Sequence, residues 1–364
     1  MPPKILVISN YNDTIASRPE AELFIKLKKR GMDVNIMTPD GSYYANEFKK
    51  HGIRVIDYYP SKKYSLKSMR IIRNELVEGK YNIIHLFSNK ATSNGIWAAR
   101  KLPVKIVLYR GYTGNIHWWS PKSYLKYLNP RIDRIMCIAE ATRDLIRSNL
   151  LKNKEKAIWI RKGHNPEWYK NKPKADLSEF GVKKDDIVFT NVSNFRTMKG
   201  IIYLIKALNY LPKNLPLKIL LIGRNMNDKA ILNEINQSPY KSNIILTGFR
   251  KDALELVKAS DVFVLPSIKG EAITKAVIEA MSLGVAPVIT NIPGNKNLVL
   301  DRENGLVIKK KDPKALAAAM LFLINNPDER EKFGQKAKAY METHFNHEQT
   351  VEQVYAMYHE LIPA

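Results

Sequence analysis

One stretch of this 364-residue chain confines its fold more than any other. An apolar run at residues 261–266 (DVFVLP) is followed by a helix-length segment, 267–284 (SIKGEAITKAVIEAMSLG), and by a second apolar run at 286–290 (APVIT). Two short apolar runs joined through one helix read as a strand, helix, strand unit, and its strands lie parallel because the helix carries the chain back across the sheet. The loop entering such a helix, and its first free N–H groups, lie at the carboxyl edge of the strands, where anionic ligands bind. Glu271 falls in that loop and Glu279 about two turns into the helix, a separation that one extended ligand can span. The N–H groups near Thr274, Lys275 and Ala276 suit a phosphate, and a carboxylate accepts hydrogen bonds from a vicinal diol. A sugar nucleotide has all of these parts. Lys275 with Glu279 is also an ordinary one-turn charge pair, so the spacing alone leaves a plain surface helix open.

The same alternation runs along the whole chain. Apolar runs at 4–9, 33–37, 81–87, 105–109, 133–139 and 157–161 are expected as strands, with a helix over 19–30 between the first two. Further runs at 187–192, 217–223, 244–248 and 261–266 repeat the pattern. Strands alternating with helices in this way build parallel, doubly wound sheets. Between the two sets, residues 164–174 (HNPEWYKNKPK) turn polar and carry two prolines, which reads as a hinge. Two Rossmann-like halves joined there are expected to face each other across a cleft. Three helical segments, 313–325, 328–343 and 347–361, close the chain.

A chain of this length suits two moderate domains, each with an adequate core. Its formal charge of +24 is shared unevenly: residues 1–170 carry 32 Lys and Arg against 14 Asp and Glu, a surplus of 18, and the remainder carries the other 6. Asymmetry on that scale points to an anionic partner for the first half. No zinc-finger spacing or RNP-like aromatic motif is present, so an anionic membrane surface is favoured over a specific nucleic acid. Residues 62–76 (KKYSLKSMRIIRNEL) place Leu66, Met69, Ile72 and Leu76 at helical spacing among cations, a pattern that fits either an anionic lipid surface or docking on the first sheet. The single cysteine, Cys137, lies in an apolar run (IMCIA) and reads as a buried thiol rather than a nucleophile. The apolar run at 5–8 is too short for a signal peptide and nothing reaches the length of a transmembrane span, so the expected location is cytoplasmic, peripheral on the inner face of the cytoplasmic membrane.

The glutamate, seven residues, glutamate spacing of Glu271 and Glu279 resembles the motif of retaining GT-B glycosyltransferases of family 4, the glycosyl transferases group 1, and the resemblance covers nearly the whole chain. It implies an α/β GT-B fold of two Rossmann-like doubly wound domains. The first, acceptor-side domain would span residues 1–165, with the helix 347–364 crossing back to it, and the donor domain would span 166–346. Glu271 would face the donor sugar and Glu279 would hold the ribose diol. The loop 193–200 (SNFRTMKG) is similar to the family's loop that supplies a basic pair to the donor diphosphate, which implicates Arg196 and Lys199. Many relatives carry their arginine two positions earlier, where this chain has Asn194. By the same resemblance, Gly223 and Arg224 (LIGR) border the nucleotide, and the backbone of Gly248, Phe249 and Arg250 (TGFR) reads the base.

Residues 109–121 (YRGYTGNIHWWSP) stand where many relatives have a histidine-bearing loop near the donor sugar; Arg110 takes that place and His117 lies further on. With Gly111 and Tyr112 they are the substrate-contact candidates, and Trp118 and Trp119 suit a sugar face, a membrane interface or a core. The loop after the first strand (NYNDTIASRPEAEL) lacks the glycine pair of many relatives. Asn10 and Arg18 could substitute there, whereas Asp13 and Glu20 read as surface carboxylates.

The implied activity is transfer of a sugar from a nucleoside diphosphate sugar, a UDP- or GDP-sugar foremost, to a hydroxyl of a glycan or lipid-linked glycan, with retained anomeric configuration. The acceptor is expected to be a polysaccharide or lipopolysaccharide precursor at the membrane. The resemblance implies no separate cofactor and no obligatory metal, because cations and a helix start can take up the charge of the departing diphosphate. A sugar-nucleotide epimerase on the same fold, or a basic nucleic-acid-binding protein on a non-catalytic scaffold, are the alternatives.

Overall fold

In a computed structural model, which describes residues 2–112, 114, 116–269, 274–295 and 298–362, the chain divides into two compact units, Met1–Gly163 with His347–Ala364, and His164–Asn346. In the first unit the elements are β1 (Lys4–Ile8), α1 (Thr14–Lys29), β2 (Asp33–Thr38), α2 (Tyr43–Lys50), β3 (Arg54–Asp57), α3 (Leu66–Glu78), β4 (Ile83–Leu86), α4 (Asn89–Ala98), β5 (Lys105–Arg110), α5 (Pro121–Tyr124), β6 (Arg134–Cys137), α6 (Glu140–Asn149) and β7 (Ala157–Trp159). The second begins with α7 (Glu167–Lys170) and continues through β8 (Ile187–Val192), α8 (Ile201–Ala207), β9 (Leu217–Ile222), α9 (Lys229–Gln237), β10 (Ile244–Gly248), α10 (Ala253–Ala259), β11 (Val262–Leu265), α11 (Lys275–Ser282), β12 (Ala286–Thr290), β13 (Leu306–Ile308), α12 (Pro313–Asn325) and α13 (Pro327–His344). The last helix, α14 (His347–Leu361), belongs to the first unit.

The first sheet has the order β3-β2-β1-β4-β5-β6-β7, with every adjacent pair parallel. Successive strand residues serve opposite faces: Ile5 and Val7 of β1 enter one core cluster, Leu6 and Ile8 the other. That is why these strands read as continuous apolar runs, since helices cover both faces of the sheet. One cover is α14, whose Val351, Val354, Met357 and Tyr358 share a cluster with Phe24 of α1. The Tyr358 hydroxyl lies 2.6 Å from Nδ1 of the buried His85, and Arg30 of α1 pairs with Glu352 at 2.7 Å. Cys137 is buried in the other cluster, and burial pushes its thiol up to about 12, the behaviour of an inert structural cysteine.

Several boundaries differ from the sequence reading, each for a local reason. Helix α1 starts at Thr14, not at residue 19, because the Asp13 carboxylate caps it by accepting from Ala16 N–H at 2.9 Å; Pro19 is carried inside the helix. Strand β3 has two exposed residues and two half-buried ones, so it has no apolar run to announce it. Leu66 heads α3 with 82% of its surface exposed, whereas Ile72 and Leu76 are buried. The docked reading therefore holds for α3 from Ser68 onward, and Leu66 stands outside it. The two units part at Gly163 and His164, where residues 164–174 begin, and the end of that segment is tied to the second unit: Lys172 pairs with Glu255 of α10 at 2.8 Å, Ala175 N–H donates to the Glu255 carbonyl at 3.1 Å, and the Lys258 ammonium donates to the Lys172 carbonyl. Among the described residues no helix is long and apolar enough to cross a membrane.

Candidate functional site

The second sheet has the order β10-β9-β8-β11-β12-β13, so the chain winds outward from β8 and then crosses back to β11. At such a switch point open parallel sheets bind ligands in a crevice at the carboxyl edge of the two central strands. Close backbone approaches shape it. Ile268 N–H donates to the Met198 carbonyl at 2.8 Å, tying the loop after β11 to the loop after β8. Gly200 has φ +71°, and a Cβ there would lie 2.0 Å from the Pro266 carbonyl oxygen, so glycine is what lets the two loops meet. Gly223, at φ +146°, meets the Ser193 carbonyl in the same way. Asn194 then accepts from Arg224 N–H at 3.0 Å and Phe195 N–H donates to the Arg224 carbonyl at 2.9 Å, binding the loop after β9 into the group.

These loops carry the residues singled out in the sequence. Arg196 is exposed and Lys199 half-buried, both in or beside the short 3-10 turn Thr197–Lys199. Thr274 is the N-cap of α11, yet its side chain caps nothing; its hydroxyl is directed to Asn295 Oδ1 at 3.3 Å. Among the described residues no side chain caps the N–H groups of Lys275 and Ala276 in the first turn, an arrangement that favours an anion. Glu279 is the fifth residue of α11, a little over one turn inside rather than two, and its Oε1 accepts from Lys275 Nζ at 2.6 Å. The one-turn charge pair is therefore real, and a ligand diol would meet a carboxylate already neutralised and oriented by Lys275. Glu271 lies outside the described residues.

The turn after β10 is joined to the same group through Gly223 N–H, which donates to the Gly248 carbonyl at 2.8 Å. Phe249 is exposed, with the Arg224 guanidinium 4.8 Å from its ring centre. Arg250 is paired with Asp252 at 2.7 Å and Glu179 at 2.8 Å, and those carboxylates hold its pKa above the ordinary value. Its charge is compensated locally, which leaves the backbone of this turn as the part able to read a ligand.

In the first unit Arg110 is the last residue of β5 and buried, Gly111 packs on the Tyr109 ring, and Tyr112 lies over the Arg110 guanidinium. His117 stacks on Trp119 at 4.4 Å, and Trp118 and Trp119 are 55% and 63% exposed, so neither tryptophan fills a core. Glu20 is not a free surface carboxylate: it pairs with Lys162 at 2.7 Å with both side chains largely covered. Asn295, together with Asn89, Lys126 and Tyr127 around Arg110, was not singled out from the sequence. Ser88–Asn89, directly after an apolar run, was the available signal, since serine there caps a helix that opens at the sheet edge.

The family model for Glycosyltransferase Family 4 matches residues 21–168 and that for Glycosyl transferases group 1 matches residues 174–340. Among curated proteins, the chain is 27% identical over 257 residues to an uncharacterized glycosyltransferase of Methanocaldococcus jannaschii, a match covering 69% of this chain and 64% of that protein. It is 29% identical over 267 residues to the UDP-Gal:alpha-D-GlcNAc-diphosphoundecaprenol alpha-1,3-galactosyltransferase of Escherichia coli, covering 68% and 67% of the two chains. With the capsular polysaccharide biosynthesis glycosyltransferase CapM of Staphylococcus aureus it shares 27% identity over 359 residues, 92% of each. A glycosyltransferase from Rickettsia africae ESF-5 shares the fold over 100% of this chain and 99% of its own, with a TM-score of 0.85 at 18% identity. Anabaena Alr3699/HepE, solved in complex with UDP, does so over 97% and 99% with a TM-score of 0.78, also at 18% identity. The chain belongs to glycosyltransferase family 4, the glycosyl transferases group 1, and is a glycosyltransferase of the GT-B fold.

Proposed function

We propose that this glycosyltransferase moves a sugar from a nucleoside diphosphate sugar to a hydroxyl of a glycan or lipid-linked glycan, with retention of anomeric configuration, in polysaccharide or related surface-glycan synthesis. The observation that supports the donor assignment is that the loop of Arg196 and Lys199 after β8 is hydrogen-bonded, Ile268 N–H to the Met198 carbonyl, to the loop that leaves β11 toward α11 and Glu279. As the diphosphate departs, negative charge develops on its oxygens, and fixed cations and helix N–H groups stabilise that state more than the bound ground state. Glu279 would accept from the ribose hydroxyls, and Glu271 is assigned to the donor sugar. This arrangement assigns the leaving-group charge to protein groups, and activity is expected to persist in excess EDTA. The E. coli relative, by its name, acts on a diphosphoundecaprenol-linked acceptor, and CapM, by its name, serves capsular polysaccharide synthesis; both agree with this reading.

The acceptor's setting is proposed to be an anionic membrane surface. Lys62, Lys63, Lys67 and Arg70 are exposed around the equally exposed Leu66, and the Lys126 ammonium, 5.9 Å from the Tyr64 ring centre, joins this end of α3 to the segment after Trp118 and Trp119. Exposed tryptophans beside cations are what an interfacial surface requires. Incubation with UDP-, GDP-, ADP- and TDP-sugars and a membrane lipid extract, with NMR of the product anomer, tests the proposal. A glycosylated product with the donor's anomeric configuration is expected; inversion refutes retention, and an altered sugar nucleotide formed without acceptor favours epimerisation.

A further inference from the structure

The guanidinium of Arg110 is the most poorly compensated charge among the described buried side chains. The residue is 2% exposed, yet Nε and Nη1 have no hydrogen-bond partner among the described residues and Nη2 reaches only the Gly114 carbonyl, at 3.5 Å. It lies between two aromatic rings, 3.8 Å from the centre of Tyr112 and 4.1 Å from that of Tyr127. Ring faces stabilise a cation but offer no acceptor in the guanidinium plane, and a buried charge is retained at low cost only when its N–H groups are met. The nearby charges make the imbalance worse. Lys126 has its pKa lowered by burial and by the Lys63 and Arg110 cations. Burial pushes the Tyr112 phenol up, but the adjacent Arg110 charge outweighs it and the phenol is held below its ordinary range.

The same rings connect Arg110 to a helix start. The Tyr127 hydroxyl donates to Asn89 Oδ1 at 2.6 Å, and Asn89 is the first residue of α4, whose cap Ser88 accepts from Ala91 N–H at 3.1 Å. The first N–H groups of α4 thus stand at the carboxyl edge of β4, beside the switch between β1 and β4, with the Arg110 cluster next to them. Gly114 makes the arrangement possible, since a Cβ there would lie 2.2 Å from the Tyr112 ring. Tyr112 is the outer ring and 45% exposed, which marks the side from which a ligand enters.

We propose that Arg110, Lys126 and the first turn of α4 form an oxyanion subsite in the first unit that takes a phosphate group carried by the acceptor. The assignment of that phosphate to the acceptor rests on the glycosyl-transfer reading; the subsite itself does not. A phosphoryl oxygen would complete the guanidinium's hydrogen bonds and offset three mutually repelling cations. The test is hydrogen–deuterium exchange of the full chain titrated with inorganic diphosphate, and in separate arms with glucose 1-phosphate and with farnesyl diphosphate in neutral micelles. Saturable protection is expected in peptides covering residues 88–98 and 110–127. Arg110→Gln should weaken it at least about tenfold, and Arg110→Lys less. Lys126→Gln, at a half-exposed position that folding tolerates, should weaken it as well. A tighter farnesyl diphosphate arm assigns a lipid-linked phosphate, and a tighter glucose 1-phosphate arm a soluble one. Protection confined to residues 193–200 and 274–281, or undiminished by both Arg110→Gln and Lys126→Gln, overturns the subsite. Failure of the donor reading looks different: nucleoside diphosphates would leave 193–200 and 274–281 unprotected while diphosphate still protected 88–98.

Discussion

Asn191 and Val264 bridge the two strands at the centre of the second sheet where their ladder ends. Strands β8 and β11 pair only through Val262 with Phe189 and Phe263 with Thr190; beyond that, the fully buried Asn191 side chain donates to the Val264 carbonyl at 2.7 Å and accepts from the Ser193 hydroxyl at 2.7 Å. An amide thus replaces the ladder at the point where the strands separate to open the crevice. Asn191→Leu leaves a buried carbonyl without its donor, which costs about 1–3 kcal/mol. Denaturant unfolding should show that loss, and calorimetry should show weaker binding of the cognate nucleoside diphosphate. Unchanged stability would mean that the bridge contributes nothing to holding the crevice.

Lys199→Ala is expected to lower turnover far more than stability, because its charge matters most when the diphosphate leaves. Arg196→Ala should act in the same direction. Steady-state kinetics beside a thermal melt separates the two effects, and wild-type turnover in a folded Lys199→Ala protein would remove this loop from the donor site.

The first unit should lose stability in acid. Burial, with a smaller contribution from the Lys26 charge, lowers the His347 pKa from about 6.5 to about 4, with Nε2 2.9 Å from the Pro19 carbonyl. Between those two values the unfolded chain binds a proton that the folded chain refuses, so stability falls as pH drops through that window. His85, lowered by burial to about 3, acts with the same sign and carries the loss further down. Urea unfolding at pH 7 and 4.5 should differ by on the order of a few kcal/mol, and His347→Gln should flatten the difference. Equal slopes in wild type and variant would contradict a neutral buried His347.

Vesicles with anionic lipid should sediment the protein, more weakly as salt rises, and neutral vesicles should not. Reversing Lys62, Lys63, Lys67 and Arg70 to glutamate should abolish sedimentation with nucleotide affinity intact. Equal sedimentation with both vesicle types, or none with either, would leave the basic first half to a dissolved anion.

Much of this was legible because a doubly wound sheet buries both faces, so central strands such as β8 and β12 declare themselves as apolar runs and were bounded correctly. What was hidden depends on contacts between distant segments. The short edge strand β3 takes its order from β2, through pairs such as Ile36 with Val55, and not from its own residues. Pro19 looked like a helix start because the Asp13 cap before it is a local side-chain choice. In the candidate sites, the glutamate spacing and the loop cations could be found by pattern. Asn295, Tyr127 and Lys126 could not, and although Ser88–Asn89 marks a helix start, nothing in the order of residues says that its side chains meet those around Arg110.

The central claim is that a nucleoside diphosphate binds at the β8/β11 crevice against Glu279. Calorimetric titration of UDP, GDP, ADP and TDP into wild type and Glu279→Ala tests it directly. At least one nucleotide should bind at one site per chain, and loss of the carboxylate should weaken it by about 1–3 kcal/mol, roughly five- to 150-fold. Binding of none of the four, or the same affinity in Glu279→Ala as in wild type, would contradict the claim.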